Sequence, residues 1–322
     1  MIDDLIKKAR SRDLRSLARI ISMVEDESPE LPQIIAKIYP HLPGALKLGF
    51  TGPPGAGKSS LINKLVPKYR ARGHRIGVIA VDPTSPFTGG AILGDRIRMV
   101  DHQLDPDVFI RSMGTRGSLG GLAQRSRDVA KILEFAGFDL ILFETVGSGQ
   151  VGSDISKSAD AIAVVMVPEG GDYVQTMKAG IMEIADIYVV NKADRDGANY
   201  MIRSIMGMVE LSDFDTGWKP PIVATQATSV IGFDELMTRF DEFIAYQKEK
   251  GLFEKRRREQ LIMEVSDILQ DMLRRQVKAA FEGGAIDDVV LEKILRNESD
   301  PYTAALELME QKTNLPRNEL RA

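Results

Sequence analysis

The pattern of apolar and polar positions changes along the chain, and its middle part is the most regular. Between residues 46 and 245, short apolar runs recur, and most segments between them carry apolar residues at helical spacing. This alternation predicts an α/β domain with a mostly parallel central sheet and helices on both of its faces. The predicted strands are Leu46–Thr51, Ile76–Val81, Val108–Ile110, Leu140–Phe143, Ala161–Val167, Ile187–Val190 and Ile222–Ala224.

The two ends of the chain carry helical patterns without strands. Residues 1–45 contain an apolar stripe from Leu14 to Val24 and a short helix over 32–39, which together predict an N-terminal helical extension that packs on the main domain.

The C-terminal end, residues 246–322, predicts a helical arm: one long helix ended by Gly283-Gly284, then shorter helices over 286–296 and 302–312. Such a stripe packs either on its own domain or against a second copy of the chain, and the pattern leaves both open. The apolar stripe of the long helix comprises Leu261, Ile262, Val265, Ile268, Leu269, Met272, Leu273 and Val277.

A phosphate-binding motif follows the first predicted strand. The stretch from Gly52 to Ser59 matches G-x-x-x-x-G-K-[ST], and apolar residues at helical spacing follow it. Glycines let the backbone turn its N–H groups toward phosphate, and the helix N-terminus adds partial positive charge. Lys58 is expected to reach the β- and γ-phosphates, and Ser59 to ligate Mg²⁺. The predicted phosphate-binding residues are Gly52, Pro53, Pro54, Gly55, Ala56, Gly57, Lys58, Ser59 and Ser60.

A guanine-recognition motif follows the sixth predicted strand. Asn191, Lys192 and Asp194 read N-K-x-D. The Asp194 carboxylate can accept hydrogen bonds from the ring N–H and exocyclic amine of guanine, whereas adenine offers neither in that position. A site built on such bonds rejects the wrong base by about 10⁴-fold. GTP and GDP are therefore the expected ligands.

Acidic residues at strand ends predict the metal shell and the catalytic centre. Glu144 ends the fourth strand and begins E-x-x-G, where many GTPases have D-x-x-G, so Gly147 is expected near the γ-phosphate. Asp82 and Asp95 are further candidates, and oxygen ligands of this kind suit Mg²⁺. The predicted metal ligands are Ser59, Asp82, Asp95 and Glu144, and the predicted catalytic residues are Lys58, Glu144, Gly147 and Asp95. The remaining hydrolytic residues stay open: Gln150 is near Gly147 in the sequence, and Arg96, Arg98, Arg111 and Arg116 could reach the phosphates.

Composition narrows the possible partners. The chain of 322 residues has a net charge of −4 and no cysteine, so it offers no basic excess for nucleic acid and no thiolate metal site or disulfide. Its first residues lack the pattern of a signal peptide, and its longest apolar run, Ala161 to Val167, is too short to span a bilayer. We therefore expect a cytoplasmic protein that contacts neither nucleic acid nor membrane.

These motifs together resemble the MeaB/MMAA family, also labelled ArgK, of P-loop GTPases. The resemblance rests on GPPGAGKSS, VDPTSPFTGGAILGDRIRM, FETVGSGQ, GIMEIADIYVVNKAD and QATSVIGFDEL. It implies a GTPase chaperone of adenosylcobalamin-dependent acyl-CoA mutases, chiefly methylmalonyl-CoA mutase, that gates cofactor loading and protects or rescues the mutase. It also implies a homodimer formed through the C-terminal arm. Slow hydrolysis that a partner raises is our expectation from the sequence, because no residue clearly positions the attacking water.

The resemblance implies further site residues. Gln226, Ala227 and Thr228 stand where the family contacts the guanine oxygen. The loop 168–180 resembles a third switch that senses the mutase, with Asp172, Gln175 and Lys178 as its candidate residues. Ser148 and the run Val151-Gly152-Ser153 depart from the family pattern, which would tune the switch to a different mutase.

Three alternatives remain open at this point. A nickel-delivery metallochaperone GTPase would carry Cys/His sites, whereas this chain has no cysteine and three scattered histidines. A transport-associated kinase would need a pocket for a hydroxyl-bearing substrate, which no motif marks. A nucleotide-gated scaffold with negligible turnover would be distinguished by measuring GTP hydrolysis.

Overall fold

One parallel sheet forms the centre of the protein. The computed structural model describes residues 2–82, 102, 104–114, 119–145, 155–168, 182–282 and 288–312. The strands are β1 (Leu46–Thr51), β2 (Ile76–Asp82), β3 (Val108–Gly114), β4 (Leu140–Glu144), β5 (Ala161–Met166), β6 (Ile187–Asn191) and β7 (Ile222–Thr225). They lie in the order β3-β2-β4-β1-β5-β6-β7, and every neighbouring pair is parallel. The seven predicted strands and the predicted α/β fold are therefore confirmed.

Helices lie between most of the strands in the sequence, and further helices precede and follow them. They are α1 (Ile2–Arg10), α2 (Leu14–Glu25), α3 (Leu31–Ile38), α4 (Lys58–Ala71), α5 (Leu119–Phe135), α6 (Ala198–Leu211), α7 (Phe233–Glu249), α8 (Leu252–Glu282), α9 (Asp288–Leu295) and α10 (Pro301–Lys312). No helix among the described residues is both long and apolar enough to cross a bilayer.

The strands are apolar on both faces, and each face has its own helices. In β4, Leu140 and Leu142 belong to the core shared with α4 and α7, while Ile141 and Phe143 belong to the core shared with α5 and α6. Successive strand residues point to opposite faces, so a strand covered on both sides is apolar at every position. This explains why β4 and β5 appear in the sequence as continuous apolar runs.

The N-terminal helices pack on the same domain. Ile6, Leu17 and Ile34 lie in one core with Val129 of α5. The prediction of a packed extension for this end of the chain agrees with that placement, and α1 is an additional helix that the pattern did not separate from α2.

Strand β3 is longer than its apolar pattern. The predicted strand stopped at Ile110, but the pairing with β2 continues through Ala80↔Ser112 to Asp82↔Gly114. Backbone hydrogen bonds between strands do not depend on side-chain polarity, so an edge strand can continue through Arg111 and Ser112.

The contacts divide the chain within α8. One compact unit ends at Glu264 and a second begins at Val265. The helices predicted over 286–296 and 302–312 correspond to α9 and α10. The predicted helix end at Gly283-Gly284 lies outside the described residues, and the division into domains at 45/46 and 245/246 stays a prediction.

Candidate functional site

The phosphate-loop motif connects the central strand to a helix. Strand β1 lies between β4 and β5, and the loop that follows it leads into α4. Gly52 has φ +138°, and a Cβ there would lie 2.0 Å from the carbonyl oxygen of Val165. Gly57 has φ +85°, and its Cβ would lie 2.4 Å from the side-chain amide of Asn191. Only glycine combines these conformations with such close approaches, so both glycines of the motif have a structural reason.

The start of α4 carries the cationic part of the site. Lys58 is only 6% exposed, and its ammonium donates hydrogen bonds to the carbonyl oxygens of Gly52 at 2.8 Å and Pro53 at 2.9 Å. Helix α4 has 14 residues, and the partial positive charge of its N-terminus lies at the same loop. A lysine and a helix N-terminus that meet at a glycine-rich loop form an anion-binding arrangement.

Two predicted metal ligands meet beside this loop. Glu144 at the end of β4 is in register with Phe50 of β1, and Ser59 is in the first turn of α4. The Ser59 hydroxyl donates to the Glu144 carboxylate at 2.5 Å, and both residues are buried. A hydroxyl and a carboxylate oxygen in contact at a phosphate loop fit the hard-oxygen preference of Mg²⁺.

The ends of β1 and β4 are joined directly by hydroxyl groups. The Thr145 hydroxyl donates to the Thr51 hydroxyl at 2.9 Å, and the Thr145 N–H donates to the carbonyl of Phe50. No sequence pattern indicated this pair, although Thr51 ends a predicted strand and Thr145 lies just beyond another. Its effect is to hold Glu144 in place against the start of the phosphate loop.

The first residue of the N-K-x-D motif contacts the phosphate loop. The Asn191 amide donates to the Ala56 carbonyl at 2.8 Å, and its oxygen accepts from the Thr225 hydroxyl at 3.2 Å. Asn191 is 1% exposed, so the structure places it as a tether between the loop and β7. Asp194, in contrast, is exposed.

The turns after β6 and β7 are adjacent. Asn191 is in register with Thr225, and the Ala193 N–H donates to the Thr225 carbonyl. Lys192 has φ +55° and Val230 has φ +56°, which are uncommon for residues other than glycine and concentrate at functional sites.

The second of these turns contains Gln226, Ala227 and Thr228, and it is closed by paired backbone hydrogen bonds between Gln226 and Ile231. The structure thus brings the two predicted guanine-binding segments together at the edge of the sheet that carries the phosphate loop.

Other predicted site residues lie outside the described part of the chain. Asp95, Gly147, Asp172, Gln175, Lys178, Arg96, Arg98, Arg116 and Gln150 belong to this set. Asp82 ends β2, in register with Gly114, and only its backbone is described. Within the described residues, no group of three or more His, Cys, Asp or Glu side chains could hold a metal.

Arg111 was an open candidate for contacting phosphate, and the structure places it elsewhere. Its guanidinium donates to both carboxylate oxygens of Glu25, at 2.7 and 2.5 Å, and to the Ser22 hydroxyl. These contacts hold the pKa of Arg111 above its usual value, with the hydrogen bond to Glu25 as the largest cause. Arg111 therefore fastens α2 to β3, which the sequence could not show because the pairing spans 86 positions.

Comparisons with known proteins agree with this architecture. Residues 17–282 match the family described as methylmalonyl Co-A mutase-associated GTPase MeaB. A protein of Pyrococcus abyssi named as a GTPase is 46% identical over 308 residues, which are 95% of this chain and 95% of that protein. The GTPase ArgK of Escherichia coli is 32% identical over 328 residues, 98% of this chain and 93% of ArgK.

Among solved structures, that of a LAO/AO transport system kinase superposes with a TM-score of 0.72 at 24% identity and covers 96% of this chain and 97% of that one. This likeness supports the fold. The family match over most of the chain and the two relatives show that this protein is a P-loop GTPase and belongs to the MeaB family.

Proposed function

We propose that this GTPase binds GTP and GDP with Mg²⁺ at the site built on Gly52–Ser60 and acts as a nucleotide-gated chaperone of an adenosylcobalamin-dependent acyl-CoA mutase. The observation that carries the nucleotide part is the convergence at one loop of the Lys58 ammonium, the Ser59–Glu144 contact and the Asn191 tether. Residues from three separate strand ends supply these groups, as phosphate, metal and base recognition together require.

The chain's own residues divide the work of the site. The backbone of the loop and the N-terminus of α4 hold the phosphates, and Lys58 contributes a positive charge at the same place. Glu144 and Ser59 are the proposed metal ligands, together with Asp82 and Asp95. Mg²⁺ held by these residues would neutralise negative charge on the phosphates. Gly147 is proposed to contact the γ-phosphate through its N–H.

Base selectivity is proposed to reside in Asp194, with Lys192 and the turn from Gln226 to Thr228 around the base. In Asp194→Asn, the amide can donate to the 2-oxo group of xanthine, so we expect weaker GTP binding and a gain of xanthosine triphosphate binding. Competition titrations with GTP, ATP and xanthosine triphosphate measure this. Asp196→Asn is the matched control, because Asp196 is also exposed in the same turn. Unchanged base selectivity in the first variant would contradict the assignment.

The chaperone role is supported by the family, whose description associates it with methylmalonyl-CoA mutase. We propose that the loop 168–180 senses the mutase through Asp172, Gln175 and Lys178. Steady-state GTP hydrolysis with and without the mutase of the same host tests this. Lys178→Ala should lose the stimulation and keep the basal rate, while Lys219→Ala, an exposed lysine outside the motifs, should keep both. No effect of the mutase on turnover would count against the chaperone role.

We also propose that the second unit pairs two copies of the chain. Along α8, the side chains of Val265, Leu269, Met272, Leu273 and Val277 are each more than half exposed and recur at helical spacing. A contiguous apolar stripe of this kind marks an interaction surface. A second copy is the simplest occupant, because the same stripe is then covered on both chains.

Light scattering tests the dimer. Leu269→Glu combined with Leu273→Glu should give a monomer, whereas Arg274→Glu, on another face of the same helix, should stay dimeric. A truncated variant that tests the same point should lack residues from 265 onward, because Arg256, Arg257 and Gln260 at the start of α8 belong to the first unit and are bonded within it. A monomeric wild-type protein at micromolar concentration would contradict the proposal.

A further inference from the structure

The segment Ile155–Asp160 lies between the E-x-x-G region and strand β5 in the sequence. It begins eight residues after Gly147 and leads into β5. Ile155 is buried, and a Cβ on Gly49 of β1 would lie 2.7 Å from its Cδ1. The Asp160 N–H donates to the Lys47 carbonyl at 2.7 Å, and the Lys47 N–H donates to the Asp160 carboxylate at 2.9 Å. The segment is therefore fastened to the strand that ends in the phosphate loop.

The first turns of α8 hold the same segment. The Gln260 amide donates to the carbonyl oxygens of Ser156 at 2.9 Å and Ala159 at 2.8 Å. The Arg257 guanidinium makes two bonds of 2.8 Å with the Asp160 carboxylate. Asp160 is only 2% exposed, so this bidentate pair is a shielded one. Four side-chain hydrogen bonds from two residues thus hold a stretch of six residues.

These contacts lie away from the nucleotide site. Lys47 and Asp160 are at the amino ends of β1 and β5, whereas the phosphate loop follows the carboxyl end of β1. Arg257 also donates to the Ala45 carbonyl just before β1. Among the site residues that the structure describes, none is bonded to Arg257 or Gln260, so we attribute their influence on the reaction to the segment and the strand.

We infer that Arg257 and Gln260 are positioning residues for GTP hydrolysis, which act by fixing Ile155–Asp160 against β1, the strand that leads into the phosphate loop. This rests on the proposed function of the phosphate loop and Glu144. One buried neutral hydrogen bond adds only modestly to stability. The segment, however, depends on several donors: Gln260 bonds its Ser156 and Ala159 carbonyls, and Arg257 bonds its Asp160 carboxylate. Without them the segment can adopt other positions, and the position that supports hydrolysis is less populated.

A neighbouring residue provides the matched control. Arg256 lies beside Arg257 on α8, and its guanidinium donates to both oxygens of the Asp186 carboxylate at 3.0 and 3.1 Å. Asp186 precedes β6 and accepts from the Ile162 N–H. Arg256→Gln therefore loosens the attachment of α8 through a comparable ion pair but leaves every bond to Ile155–Asp160 intact.

Hydrolysis and binding measured on the full chain test the inference. Gln260→Glu keeps the shape of the side chain and loses its donor, and Arg257→Gln loses the paired charge. We expect each to lower kcat for GTP about tenfold, with GDP affinity by calorimetry within about twofold of wild type. Gln260→Lys keeps a hydrogen-bond donor at this position, so its kcat should be closer to that of wild type than to that of Gln260→Glu. Arg256→Gln should lower the melting temperature and keep kcat within about twofold of wild type.

Each other outcome is decisive. If Arg256→Gln lowers kcat as much as Arg257→Gln, the effect is a general loosening and the inference is overturned. If Arg257→Gln and Gln260→Glu lower only the melting temperature, their role is structural and the inference is again overturned. Lys58→Ala gives the background rate of GTP hydrolysis. If the wild-type rate does not exceed that background, the proposed function fails together with the inference. If wild type exceeds the background and the variants of Arg257 and Gln260 keep its rate, only the positioning role fails.

Discussion

Replacing Asn191 by alanine tests whether this residue serves the phosphate loop or the base. The side chain donates to the Ala56 carbonyl and accepts from the Thr225 hydroxyl, and both Asn191 and Thr225 are buried. A buried neutral hydrogen bond contributes about 0.5–1.5 kcal/mol net, so losing two lowers the free energy of unfolding by about 1–3 kcal/mol. The loop loses its tether at the same time, so GDP affinity should fall about tenfold, which is about 1.4 kcal/mol.

Three variants and two ligands separate these roles. Urea unfolding followed by circular dichroism gives stability, and calorimetry gives the affinity for GDP and for tripolyphosphate, which has no base. Asn191→Ala should weaken both ligands. Thr225→Val keeps the Ala56 bond and should lose about 1 kcal/mol of stability with little change in affinity. Asp194→Asn should weaken GDP alone. If Asn191→Ala leaves stability and tripolyphosphate binding unchanged and alters only base choice, the tether reasoning is refuted.

Three further expectations follow from single positions. Gly52→Ala should lower the free energy of unfolding by more than about 2 kcal/mol in urea titrations, because its Cβ would meet the Val165 carbonyl at 2.0 Å, whereas Gly55→Ala, with no atom within 4 Å, should lose about 1 kcal/mol. Lys58→Ala should weaken GTP binding by about 10–100-fold with an unchanged circular dichroism spectrum, since its ammonium serves the ligand; retained tight binding would exclude that role. Burial raises the pKa of Asp186 from 3.8 to about 6 against the opposing effect of Arg256, so the folded protein holds this proton more tightly than the unfolded chain. The free energy of unfolding of wild type, measured relative to that of Asp186→Asn, should therefore fall by about 3 kcal/mol as the pH rises from about 4 to about 6.5. A relative stability that does not change with pH would show that the carboxyl of Asp186 titrates normally.

Local sequence patterns were sufficient to predict the α/β fold and a phosphate-binding site. The phosphate loop lies within eight consecutive residues, Gly52 to Ser59, so its chemistry can be read without any long-range contact. Strands buried on both faces are apolar at every position, which made β4, β5 and β6 recognisable as such. The order of strand, loop and helix then predicted that the motifs would share one edge of the sheet.

The pairings between distant residues were decided only by the tertiary structure. Ser59 meets Glu144 across 85 positions, Asn191 meets Ala56 across 135, and Gln260 meets Ser156 across 104. Sequence motifs identified Ser59, Glu144, Asn191 and Ala56 as site residues. Which of them meet depends on the order of the strands in the sheet, and no local sequence pattern encodes that order. Arg111 and Arg257 show the consequence: an arginine can serve phosphate, solvent or a buried carboxylate, and only the position of Glu25 or Asp160 in the fold selects one.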